Sequence, residues 1–218
     1  MKPKHLMHPH PGFVLALIIL TYAYAWGLHS IPLYHDSLWQ SIALLNTGLA
    51  LISLFLWKPR MPPTSAVSEQ VTAWAIGPFL LAMTLLVIVV SNQFEDVRPT
   101  VRTYSLIEIL GLCVWIPIIE EIIFRRFLAN WIGLKLDGLW GIYVSGLIFA
   151  LAHTAPPGNL WPPLGPFLLG CATTWAYRVS GRIGAPVLLH AACNASAILF
   201  AIYAPSWLEI LSGLYQNL

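Results

Sequence analysis

Apolar residues fall in long blocks along this chain, separated by short polar connectors rich in Pro. The blocks run approximately over 13–28, 38–57, 71–91, 105–134, 139–153, 164–177 and 184–203. A helix needs about 20 consecutive apolar residues, within a range of roughly 17–25, to cross a hydrocarbon core. Each block is near that length; the fifth and sixth are short and the fourth is long. A last apolar piece over 206–214 is too brief to span, so it is expected to lie at the interface or docked against the bundle. The pattern predicts an all-α membrane protein, a polytopic bundle of about seven transmembrane helices (six to eight). It divides into N-terminal helices over 1–104, a helical core over 105–204 and a short C-terminal segment over 205–218.

Composition strengthens that reading by removing the soluble alternative. Charged residues make up 9% of the 218, against roughly 25% in ordinary soluble domains, too few to coat a water-facing surface. Mean hydropathy is +0.73, and ten Trp and 17 Pro fit helices in lipid, where aromatics gather at interfaces and Pro is tolerated. The net charge of +2, with no Lys/Arg run longer than two, gives no footprint for nucleic acid. Cys113, Cys171 and Cys193 lie in apolar runs without metal-site spacing, which favours buried small hydrophobes over a disulfide framework.

The placement of basic residues sets a topology. With the N-terminus inside, Lys2, Lys4, Lys58, Arg60, Lys135, Arg178 and Arg182 fall on the cytoplasmic side, and Arg98 and Arg102 outside. An integral protein of the cell inner (plasma) membrane with a cytoplasmic N-terminus is expected. Ala23-Tyr24-Ala25 also fits a signal-peptidase site, but Tyr22, Tyr24 and Trp26 suit an interfacial aromatic belt.

The fourth block breaks its own apolar rule. Glu120, Glu121, Arg125 and Arg126 interrupt it, and unpaired they would cost on the order of 10 kcal/mol in lipid. Glu121 and Arg125 are four apart with the acid on the N-terminal side, the favourable orientation for an ion pair on one helix face. Glu120 has no such local partner. Arg126 also fits a snorkelling anchor at a helix end. Of the histidines, His5, His8, His10, His29 and His35 lie in the tail or first loop, whereas His153 and His190 lie in apolar blocks. Glu120 precedes the turn near Asp137 by 17 residues and His153 follows it by 16, so an antiparallel hairpin brings them to similar depth. Asn194 is four residues after His190, hence on the same helix face. Intramembrane ionisable groups of this kind point to a functional site.

Three motifs in this order, Glu120-Glu121-Ile-Ile-Phe-Arg125, Phe149-x-x-x-His153 and His190-x-x-x-Asn194, resemble the signatures of the CPBP family, the CAAX proteases and bacteriocin-processing (Abi) proteins. The resemblance covers roughly residues 105–204. Arg126 departs from it, because many members carry Gly there. What the resemblance implies is an intramembrane glutamic endopeptidase that hydrolyses a peptide bond in a membrane-embedded or membrane-associated peptide or protein, with no metal and no cofactor. Glu120 would be the base that activates water, assisted by His153; His190 and Asn194 would stabilise the oxyanion, and Glu121 and Arg125 would support the site. Phe149 is expected to be a packing wall. Two alternatives stand beside this reading. Glu120, His153 and His190 are also zinc-ligand types with one position left for water, although no H-E-x-x-H pair is present. A non-catalytic binding, immunity or scaffold protein of the same fold is the other.

Overall fold

In the computed structural model the described residues are 47–48, 50–51, 66–94, 104–133, 136, 138–153 and 164–207. The expected first span, most of the second, the signal-peptidase pattern, His5, His8, His10, His29 and His35, and residues 208–214 lie outside them.

The described residues form an all-helical structure. Helix α1 (Val67–Phe94) is followed by a continuous helical path of five segments: α2 (Leu106–Leu110), a π-helix π1 (Gly111–Trp115), α3 (Ile116–Glu121), a second π-helix π2 (Ile122–Ala129) and α4 (Asn130–Gly133). Then come α5 (Gly138–Ala152), α6 (Leu164–Ser180) and α7 (Gly184–Tyr203). The five apolar blocks over 71–203 therefore each become a helical rod, with ends within a few residues of expectation. Among the described residues two helices, α1 and α7, are long and apolar enough to cross a membrane, while α5 and α6 are shorter at 15 and 17 residues.

Local sequence explains how the fourth rod begins and why it is uneven. Ser105 and Glu108 close a reciprocal capping box, with the Ser105 amide 2.7 Å from Glu108 Oε2 and the Glu108 amide 3.3 Å from Ser105 Oγ. Pro117 cannot donate a backbone hydrogen bond, and just before it the ladder shifts to π spacing, with Ile116 N–H on Gly111 O.

Small residues let the rods approach closely. A Cβ on Gly77 of α1 would lie 2.9 Å from Leu189 Cα of α7, and one on Gly170 of α6 would lie 2.9 Å from Gly146 Cα of α5. The α1–α7 seam also carries a Thr84–Ser196 hydroxyl hydrogen bond of 3.0 Å. Helix α5 packs on α6, α6 on α7, and α1 on both α6 and α7, while π1 and α3 lie against α7 and π2 against α5 and α6. The rod with the acidic pair thus sits between the two histidine-bearing helices. Gly181, at φ 62°, ends α6 and starts the tight turn into α7. The three cysteines are free and half-buried.

Candidate active site

The four charges of the fourth rod are treated unequally. Glu121 and Arg125 are fully buried, and Arg125 Nε lies 2.9 Å from Glu121 Oε2. The same Nε donates to Thr173 Oγ1 of α6 at 2.7 Å. The guanidinium stacks on the Phe149 ring, its carbon 4.4 Å from the centroid, a cation–π arrangement. Arg126 is half-buried; its carbonyl accepts from Asn130 Nδ2, which also reaches Tyr177 OH at 3.0 Å.

Glu121 uses its second oxygen for α7: Oε1 accepts from His190 Nδ1 at 2.8 Å. His153, immediately after α5, places its Nδ1 2.8 Å from Phe149 O. A carbonyl can only accept, so His153 Nδ1 carries the proton, and the Arg-paired carboxylate of Glu121 assigns His190 in the same way. With Nδ1 committed in each ring, Nε2 is the atom left to face the site, as a lone pair when the ring is neutral and as a donor when it is protonated. Both point to one atom, Glu120 Oε2, 3.4 Å from His153 Nε2 and 3.9 Å from His190 Nε2. These distances exceed ordinary hydrogen bonds, and Glu120 Oε2 has no hydrogen-bond partner among the described residues. Polar atoms from three rods thus converge on one point, the carboxylate oxygen of Glu120 and the two imidazole Nε2 atoms.

Access to this point is one-sided. Side-chain exposure is 3% for His190, 12% for Glu120 and 32% for His153, so the cluster is closed towards α7 and open at the end of α5.

Asn194 occupies the face expected, one turn beyond His190, but its amide is tethered: Nδ2 donates to Leu112 O at 2.8 Å. That carbonyl is available for a local reason. In the π register its backbone donor would be residue 117, a proline without an N–H, while Ile116 N–H is taken by Gly111 O. One amide hydrogen of Asn194 is thereby committed and the other is left for a second acceptor.

Two contributors are not apparent from the motifs, and a third does more than its motif position suggested. Thr173 is a Thr in an apolar helix with no charge beside it in sequence. The Leu112 carbonyl has only Pro117, five residues on, as a signal. Phe149 is more than a wall: fully buried, its ring centroid is 4.3 Å from that of His153, 5.8 Å from that of His190 and 5.0 Å from that of Phe124. It forms a shared platform for Arg125 and both imidazoles.

Comparison with curated proteins and with solved structures gave no significant match. Comparison with family models did: residues 102–196, which hold Glu120, His153, His190 and Asn194, match the Rce1-like family, described as type II CAAX prenyl endopeptidase Rce1-like, in line with the resemblance that the three motifs carry.

Proposed function

We propose that the chain is an intramembrane endopeptidase of glutamic type, in which Glu120 activates a water molecule for attack on a peptide bond. The observation that carries this reading is the convergence of Glu120 Oε2 with the two imidazole Nε2 atoms, each ring oriented from behind through Nδ1. A water bound there would donate its protons to Glu120 and His153, leaving an oxygen lone pair for the carbonyl carbon. Glu120 takes the proton as the C–O bond forms and delivers it to the leaving amine. The two histidines differ in what stands behind them. His153 rests on a neutral carbonyl and serves as an acceptor that orients water. His190 rests on the Glu121 carboxylate, the partner an imidazolium needs; with a proton taken from solvent before substrate binds and kept through the cycle, its Nε2–H serves as an oxyanion donor. Asn194, with one amide hydrogen held by Leu112, offers the other to the same oxyanion.

The substrate is a membrane-embedded or membrane-associated peptide or protein entering from the open His153 side. The bundle has about seven spans, with the N-terminus on the cytoplasmic face of the inner (plasma) membrane. Catalysis is metal-independent, with no cofactor. The rival zinc reading has one observation in its favour, since histidines that donate Nδ1–H to a carbonyl or carboxylate are typical of metal ligands. Against it, the sequence has no H-E-x-x-H pair.

The test is cleavage of membrane-anchored peptides by the full chain reconstituted in liposomes. Glu120→Gln should abolish cleavage while leaving helicity and thermal unfolding unchanged, and chelation should leave the wild type active. Retained cleavage in Glu120→Gln would exclude Glu120 as the base. Loss on chelation with recovery in zinc would establish the metal mechanism instead.

A further inference from the structure

We propose that Thr173 is a positioning residue of the hydrolytic site, acting through Arg125, Glu121 and His190; this rests on the reading of Glu120 and His190 as reacting groups. Thr173 is fully buried in the middle of α6, a helix that contributes none of the three motifs. Its hydroxyl proton goes to Leu169 O at 2.8 Å, which turns an oxygen lone pair outward to accept from Arg125 Nε at 2.7 Å. The hydroxyl is therefore committed in both roles and has one orientation.

The guanidinium it meets has few other restraints. Neither Nη1 nor Nη2 of Arg125 has a hydrogen-bond partner among the described residues, so its plane is set by Glu121, Thr173 and the Phe149 ring. The single Nε–H of Arg125 goes to Thr173, so Glu121 Oε2, 2.9 Å from the same nitrogen, has no hydrogen-bond partner among the described residues. Without Thr173 that N–H is free to turn onto Glu121 Oε2, which rotates the guanidinium and draws the carboxylate away from α7. Glu121 Oε1 then no longer fixes His190 Nδ1. Thr173 holds the guanidinium where Glu121 keeps its second oxygen for His190.

The test compares Thr173→Val, Thr173→Ser and Thr174→Val in the liposome assay. Thr174 is the adjacent buried threonine; it bonds to Ser145 and to Gly170 O, outside the relay, and controls for the packing cost of losing a buried hydroxyl. Thr173→Val should lower kcat roughly 10- to 100-fold with KM within about twofold of wild type. Thr173→Ser should restore most of kcat, and Thr174→Val should lower Tm without lowering kcat. A Thr173→Val enzyme with wild-type kcat, or a Thr174→Val enzyme equally impaired, overturns the proposal while Glu120 remains the base. A second readout stands without turnover: ¹⁵N spectra of histidine-labelled protein in nanodiscs, with His190 assigned by His190→Gln. The wild type should show His190 Nδ1 protonated throughout, and Thr173→Val should show a mixture. If the wild type cleaves nothing, the hydrolytic reading fails, and unchanged His190 signals in Thr173→Val then refute the relay itself.

Discussion

Replacing Arg125 with Met tests whether the buried ion pair is a structural requirement of the core. Both side chains of the pair are fully buried, at 2.9 Å, and the guanidinium also holds Thr173 and stacks on Phe149. Met fills much of the volume but leaves the Glu121 carboxylate without its cation. Removing one partner of a buried pair costs about 3–5 kcal/mol, because the remaining charge is stranded in a medium that does not solvate it. Neutralising the acid in the same chain removes that stranded charge. Glu121→Gln/Arg125→Met keeps a side-chain oxygen to accept from His190 Nδ1 and should lie within about 1–2 kcal/mol of wild type. The assay is denaturant unfolding in micelles of wild type, both single variants and the double variant, giving a coupling energy of about 2 kcal/mol or more. An Arg125→Met variant that loses less than about 1 kcal/mol, or a double variant no more stable than the singles, would refute the claim that the pair stabilises through charge.

Two further substitutions probe how the backbone sets the site. Pro117→Ala returns an N–H that competes with Asn194 for Leu112 O; it should raise Tm and lower kcat roughly tenfold or more by freeing the Asn194 amide, and unchanged turnover would remove Asn194 from the oxyanion site. Gly170→Ala introduces a Cβ 3.0 Å from Phe149 Cβ and 2.9 Å from Gly146 Cα; it should cost about 1–3 kcal/mol in unfolding experiments and reduce cleavage by displacing the platform under both imidazoles. Gly165→Ala in the same helix, where a Cβ meets nothing within 4 Å, should behave as wild type in both measurements.

The amino-acid order alone determined the helical class, the location of the rods over 71–203 and which polar residues the rods would bring into the bundle. Each follows from a one-dimensional rule: apolar run length against bilayer thickness, the cost of charge in lipid, and the 1.5 Å rise that puts Glu120 and His153 at equal depth in a hairpin. The Glu121–Arg125 pair and the shared face of His190 and Asn194 follow from helical spacing in the same way. Which atom faces which follows instead from how the rods pack and rotate against one another. Glu120 Oε2 receives both Nε2 atoms because Phe149 O and Glu121 turn the two rings, and neither partner can be chosen from spacing when each rod has several faces to bury. The π register moves the carbonyl orphaned by Pro117 from Cys113 to Leu112, where Asn194 can use it; a backbone register depends on the balance of neighbouring hydrogen bonds and leaves no residue pattern. Thr173 is decided later still, since a threonine in an apolar run is only a packing residue until another rod delivers a guanidinium to its oxygen. Depth is a property of one chain read along its length, whereas rotation about each helix axis is set by contacts between chains of side groups far apart in sequence.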